Sequence, residues 1–225
     1  MRERNLRRLP KSWICAETIN LIRFVYSLDN NMKDWEKAYQ EGVTPWDKGY
    51  ASPPLAQWLQ KHILKGEGLV LGCGLGHDVR LFSKNSARVT GMDISHTAIN
   101  EAKKIPVVNN ESYKVADFFD LDSCYNQSFD WVVEHTFFCA ITPDLRHSYV
   151  KNLVKVLRPK GYFLAVFFLK DPEDSNLDGP PYKINREAVE EYFGNDFDLR
   201  ESFIPETHYE CRPKGSEYLC WMQLK

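Results

Sequence analysis

Residues 69–79 read LVLGCGLGHDV, and no other stretch narrows the choice of fold as much. A short apolar run leads into Gly72, Gly74 and Gly76, and His77 and Asp78 then open a helical pattern. A strand that enters a glycine turn and leaves as a helix collects backbone N–H groups and the positive end of a helix dipole at the strand's carboxyl edge. Glycine permits the tight turn and lets a ligand come close to the backbone. The dinucleotide fingerprint G-x-G-x-x-G requires its third glycine at position 77, which is His77 here; that glycine arrives one residue early, at 76. A side chain at the third position obstructs the helix–strand packing that brings a pyrophosphate onto the helix. The loop therefore disfavours NAD and leaves two readings, a different nucleotide-like cofactor or a structural turn.

The pattern around the loop is α/β. Strand candidates lie at 68–71, 88–92, 113–116, 129–133 and 162–168, and helical patterns at 52–64, 77–84, 95–104 and 144–157. The last has Leu145, Tyr149, Leu153, Val154 and Leu157 on one face, Pro143 and Asp144 at its start and RPKG at its end. Ser52 and two prolines open the first, with Leu55, Leu59 and Ile63 at a spacing of four. Strands alternating with helices imply a parallel sheet covered on both faces. The closing EYLCWMQLK alternates like a strand and is expected to close the sheet's edge.

The chain's 225 residues, 43% apolar and 27% charged, suit one domain with a terminal extension. A formal net charge of −2 gives no reason to expect nucleic acid or an acidic membrane as partner. The basic cluster Arg2, Arg4, Arg7, Arg8 and Lys11 is interrupted by Glu3 and reads as a solvated tail. The apolar stretch 19–28 is too short to span a membrane and contains Arg23. An organelle transit peptide is disfavoured by Glu3, Glu17 and the scarcity of serine. Residues 1–31 read as an N-terminal extension, with Met32 as a candidate alternative start, and 32–225 as a single domain. Six cysteines lack any C-x-x-C pair, so neither a zinc site nor a disulfide framework is suggested, and a cytoplasmic location is expected.

Two acidic residues end the strands that follow the glycine loop. Asp93, 21 residues after Gly72, can accept both hydroxyls of a ribose. Asp117, beside Phe118, can accept an adenine amino proton next to an aromatic ring. Each alone reads equally well as a helix cap, as Ser95 after Asp93 suggests. At successive strand ends beside the glycine loop they describe an adenosine site without pyrophosphate.

The G-x-G-x-G loop resembles that of S-adenosylmethionine-dependent methyltransferases. WEKAYQEGVTPWDKG (35–49), LGCGLGHD (71–78), ADFFDL (116–121), EHTFFCAITPDLR (134–146) and GPPY (179–182) together resemble the thiopurine S-methyltransferase family. The likeness is closest to its plant and bacterial branch of thiol, thiocyanate and halide methyltransferases. It implies a Rossmann-like, doubly wound, seven-stranded and mostly parallel sheet with helices on both faces, the class I methyltransferase fold. It further implies S-adenosylmethionine as cofactor, S-adenosylhomocysteine as product, and a segment at 32–50 that covers the cofactor. Cofactor positions carried over are Trp35, Tyr39, Trp46, Gly72, Gly74, Gly76, Asp93, Asp117, Phe118 and His135. Acceptor positions are Trp46, Arg146 and Tyr182, with Arg146 and His135 as catalytic candidates. Where the family usually has Asp followed by Tyr or Arg, this chain has Glu134 and His135; it also has Leu71 in place of a common proline.

Plainer readings stand beside these. Trp35 and Trp46 can anchor a helix, Phe137 and Phe138 read as core, and Cys73 and Cys139 as small buried residues. No Cys–His or Ser–His–Asp arrangement stands out, as expected if the acceptor is a soft nucleophile needing little help from a base. The sequence thus implies a monomeric enzyme that methylates a small molecule, a thiol or thiocyanate. Halide, metalloid or oxygen acceptors, or cofactor binding without catalysis, are the alternatives.

Overall fold

The computed structural model describes residues 34–85, 88–169 and 179–225; the expected extension 1–31 lies outside them. The elements, in chain order, are α1 (Trp35–Gln40), α2 (Pro53–Leu59), β1 (Glu67–Leu71), α3 (His77–Ser83), β2 (Arg88–Asp93), α4 (His96–Lys104), β3 (Glu111–Val115) and β4 (Phe129–His135). They continue with α5 (Arg146–Val156), β5 (Leu157–Phe168), α6 (Arg186–Phe193), β6 (Phe197–Phe203) and β7 (Glu217–Leu224). One seven-stranded sheet runs β3-β2-β1-β4-β5-β7-β6, parallel except for β7, which is antiparallel to both its neighbours.

The alternation of side chains along the strands divides the core in two. Leu69, Leu71, Val132 and Phe163 face a cluster with Phe138, Tyr149, Leu153 and Phe193, under α5 and α6. Val70, Trp131, Val133 and Leu164 face the other, with Leu55, Trp58, Val79, Phe82 and Ile99 from α2, α3 and α4. Both faces of the sheet are therefore covered, and Phe138 belongs to the core, as expected.

Three expectations from the sequence need correcting. The terminal strand does not close the sheet's edge: β7 lies between β5 and β6, and β6 is the edge on that side, with β3 at the other. FDLRESF, absent from the strand candidates, is the edge strand β6, with Asp198 and Arg200 exposed after buried Phe197, a common way of blunting a sheet edge. The helix at 52–64 stops at Leu59, so Ile63 leaves the apolar face and is 74% exposed. RPKG does not follow the end of a helix as a loop, because α5 ends at Val156 and Leu157 already belongs to β5, with a positive φ of 62° at Lys160.

The order β3-β2-β1-β4-β5 puts the reversal of strand order between β1 and β4. Ligands of such sheets bind in the crevice outside the carboxyl ends of the strands at this point. Here the crevice is flanked by the glycine loop after β1 and by the turn after β4.

Candidate active site

The loop after β1 is folded against its own protein at every glycine. Gly72, Gly74 and Gly76 have φ of +56°, +50° and +76°, which L side chains rarely adopt. A Cβ on Gly72 would lie 2.5 Å from the Phe137 ring, and one on Gly74 2.7 Å from the Tyr39 hydroxyl. One on Gly76 would lie 2.5 Å from the Tyr113 ring. Gly76 is also the N-cap of α3, in the left-handed conformation. The glycines therefore serve both the turn and the close approach of rings from the strap at 34–52, from β3 and from the turn after β4.

Asp93 ends β2 and is 8% exposed. Its Oδ2 accepts the Gly74 N–H at 2.8 Å and its Oδ1 the Ser95 N–H at 2.9 Å. Burial pushes its carboxyl above the usual range in spite of these N–H donors. Ser95, not Asp93, is the N-cap of α4, accepting from the Ala98 N–H at 3.0 Å. Next to Asp93, Ile94 is 47% exposed, an apolar face at the carboxyl edge that sequence reasoning did not single out. Asp117 is exposed after β3, and its Oδ1 accepts the Phe119 N–H at 2.8 Å. Phe118 turns inward, 4% exposed, and its ring lies 5.2 Å from that of Tyr149 and 6.4 Å from that of Phe137.

The strap lies across this edge. Trp46 Nε1 donates to the Tyr39 hydroxyl at 3.0 Å, and the Trp35 and Trp46 rings meet edge-on at 5.2 Å. Glu36, which no local pattern marks out, accepts from Ser95 Oγ at 2.6 Å and from the Thr97 hydroxyl and N–H at 2.6 and 3.0 Å. It thereby ties α1 to the start of α4, and these donors hold its carboxyl down at about 2. On the opposite side Asp47 meets His77 at 3.2 Å, and the Ser52 N–H donates to Asp78 at 2.7 Å.

Beyond β4 the chain turns through Thr136, at a φ of 57°. Glu134 is fully buried, and its Oε2 accepts the N–H groups of Phe137 and Phe138 at 2.7 and 2.9 Å. Burial pushes the Glu134 carboxyl up to about 7. His135 Nδ1 lies 3.0 Å from Asp78 Oδ2, while Nε2 lies 3.4 Å from Arg212 and 3.6 Å from Glu217. Arg212, Glu217 and Tyr209, whose ring stacks on His135 at 5.8 Å, are further members that sequence reasoning missed. Register places them here, since β7 starts at Glu217 opposite Phe168, the last residue of β5.

On the same turn the Cys139 carbonyl accepts the Tyr182 N–H at 2.6 Å, which docks the GPPY loop. Arg146 opens α5 and is 4% exposed. Its guanidinium donates to the Lys183 carbonyl at 2.9 Å and lies over the Phe138 and Tyr192 rings at 5.1 and 5.8 Å. Among the described residues its Nε has no hydrogen-bond partner, and no carboxylate pairs with it.

The carboxyl edge thus offers backbone and a buried carboxylate on one side and a buried guanidinium on the other. S-Adenosylmethionine fits the first half. The Gly72 and Gly74 backbone, which tolerates no Cβ, and the spare acceptor capacity of Asp93 suit a sugar, and Ile94 offers an apolar face to a base.

Comparison with known proteins agrees with this geometry. The chain is 34% identical over 169 residues to the probable thiol methyltransferase 2 of Arabidopsis thaliana, covering 73% of this chain and 71% of that protein. It is 33% identical over 162 residues to thiocyanate methyltransferase 1 of the same plant, covering 70% and 69%. The fold matches a Burkholderia thailandensis 1,6-didemethyltoxoflavin-N1-methyltransferase, solved with S-adenosylhomocysteine bound, at a TM-score of 0.65 and 20% identity over 97% of this chain and 93% of that one. The family profile described as thiopurine S-methyltransferase (TPMT) matches residues 30–212. The seven-stranded sheet, the glycine loop with Asp93 and this match together show that the chain belongs to the thiopurine S-methyltransferase family, as a methyltransferase that uses S-adenosylmethionine.

Proposed function

We propose that this enzyme methylates a small, soft, anionic nucleophile, a thiolate or thiocyanate. One observation carries the reading: Arg146 is a buried guanidinium with an orphaned Nε and no carboxylate partner among the described residues. A buried charge is costly unless paired, and with no carboxylate beside it among the described residues Arg146 suits an anionic acceptor as its counter-charge. The names of the Arabidopsis relatives, thiol and thiocyanate methyltransferase, support the same class.

When bound, the cofactor supplies a methyl carbon on a cationic sulfur, already activated for transfer. The residues of this chain have to seat, align and dry the two reactants. In this reading Trp35, Tyr39, Trp46, Gly72, Gly74, Gly76, Asp93, Asp117 and Phe118 form the cofactor side, with residues 32–50 of the single domain as its cover; His135, both of whose ring nitrogens are engaged by protein groups, stands behind that side and not on it. Trp46, Arg146 and Tyr182 form the acceptor side. Near-attack alignment contributes about 7–11 kcal/mol at best. General bases are scarce here: Asp78 is committed to His135, Asp47 to His77 and Glu134 to two backbone N–H groups. Burial holds the Cys139 thiol up at about 12, so it is no rival nucleophile. An acceptor that arrives as a soft anion needs none of these groups.

The test is incubation with methyl-labelled cofactor and a panel of thiols, thiocyanate, halides, selenite and a phenol. Label in the thiols or thiocyanate is expected; label only in the phenol, or binding without transfer to any acceptor, refutes the reading. Arg146→Ala should lower kcat/KM for an anionic thiol tenfold or more, about 1.4 kcal/mol of transition-state stabilisation. Unchanged turnover removes Arg146 from the mechanism. No helix among the described residues is long and apolar enough to cross a membrane. Among the described residues, Cys73, Cys124, Cys139 and Cys220 are free thiols, in keeping with the cytoplasm-like setting proposed. We take the enzyme as a monomer, which size-exclusion chromatography with light scattering checks.

A further inference from the structure

Four charged side chains from four segments close on one another where the glycine loop faces the turn after β4. Asp78 stands in the first turn of α3, His135 at the end of β4, Arg212 in the loop before β7, and Glu217 at the start of β7. The side chains of His135 and Asp78 are each 13% exposed, Arg212 11% and Glu217 2%. Arg212 pairs with Glu217 and lies over the rings of Phe168 and Tyr209, 5.3 Å from each. Asp78 also holds the Ser52 N–H, and the Tyr209 hydroxyl donates to the Tyr50 carbonyl at 3.0 Å. The cluster therefore joins the end of the strap, the helix after the glycine loop, the turn after β4 and the approach to β7.

Both imidazole nitrogens are engaged, Nδ1 by Asp78 and Nε2 by the Arg212–Glu217 pair. A ring held this way has no nitrogen turned to an acceptor. We propose that His135 is a positioning residue, a clamp between Asp78 and Glu217 that fixes the glycine-loop helix against the turn after β4 and so sets the spacing of the donor and acceptor halves. The naming of the halves rests on the function proposed above; the clamp itself does not.

The groups facing the ring are Asp78 from α3, Glu217 from β7, and Arg212 and Tyr209 from the loop before it; the neighbouring Glu134 points its bonded oxygen at Phe137 and Phe138. Burial pulls the imidazole's affinity for its proton down. The hydrogen bond and charge of Asp78, aided by Glu217, outweigh burial and the Arg212 charge and hold His135 above its usual value. Protonated, the cluster balances two cations against two carboxylates; deprotonated, it leaves one carboxylate uncompensated. The clamp therefore loosens as pH rises through the raised His135 value.

Methyl transfer, S-adenosylhomocysteine calorimetry and histidine proton NMR are to be compared in the wild type, His135→Ala, His135→Arg and Asp78→Asn. His135→Ala is expected to lose tenfold or more in kcat with less than threefold change in S-adenosylhomocysteine affinity. His135→Arg, which keeps a cation but cannot take up a proton, should recover most of that loss. In Asp78→Asn the His135 resonance should titrate at lower pH than in the wild type. The clamp is overturned if His135→Ala is unimpaired, or if His135→Arg is as inactive as His135→Ala, the result for a catalytic base. Should His135→Ala fail to fold, or the wild type methylate none of the acceptors, the NMR arm decides alone: an unshifted His135 titration in Asp78→Asn sinks the clamp. Wild-type inactivity towards every acceptor counts only against the proposed function.

Discussion

At the scale of single residues, Glu134 couples the site to stability. It is fully buried, and burial raises its carboxyl from the usual range to about 7. The folded state therefore holds this proton more tightly than the unfolded chain, and the stability this confers is lost as pH rises from about 4.5 through about 7, roughly 3 kcal/mol in all. Glu134→Gln keeps an oxygen to accept from Phe137 and Phe138 and removes the charge. The variant should unfold several degrees above the wild type at pH 8, at ~2–4 °C per kcal/mol, with little difference at pH 4.5. Equal midpoints at pH 8 would refute the account. The substitution at 134–135 was visible in the sequence as a departure from the family, but its consequence was not. Glu36, Asp78 and Glu217 could not be picked from 31 acidic residues, because no local pattern distinguishes them. Their partners lie 59, 57 and 5 or more positions away, and only folding brings them together.

Among elements, the strap has the clearest mechanical role. α1 has six residues, too few to be stable on its own, and it is held from outside by Glu36 on Ser95 and Thr97. The depressed carboxyl of Glu36 contributes stability above the ordinary carboxylate range, and this is lost as pH falls towards 2. Glu36→Gln should weaken S-adenosylhomocysteine binding severalfold at neutral pH, measured by calorimetry. Unchanged affinity would show that the strap does not act through this contact. Element by element, the helix after the glycine loop, α4 and the strands up to β5 were legible because their periods are local. α6 carries a readable start, with Asn185 accepting from the Ala188 N–H at 2.9 Å, but REAVEEYF is rich enough in charge to pass for a loop. Strand order is a different matter: the alternation in EYLCWMQLK reveals a strand but not its neighbours.

In the whole molecule, the reversal of strand order between β1 and β4 brings the glycine loop and the turn after β4 face to face. A ligand that binds only the folded state stabilises it by about 2.7 kcal/mol at a hundredfold excess over Kd. S-Adenosylhomocysteine at that excess should therefore raise Tm by ~5–10 °C. NAD should leave Tm unchanged, since His77 occupies the place of the third glycine; a comparable shift with NAD would reverse that reading. The glycine spacing and Asp93 led to S-adenosylmethionine as cofactor, whereas the contacts that hold the His135 imidazole depend on β7 returning antiparallel with Arg212 and Glu217. The strap also carries its own optical signal. Of the six tryptophans, Trp58 and Trp131 are locked in the core, 2% and 1% exposed, while Trp35 and Trp46 meet edge-on in the strap. If residues 32–50 cover the ligand as proposed, the emission of this pair should change on S-adenosylhomocysteine binding and can be followed by stopped flow with no label attached; unchanged emission would count against the covering role.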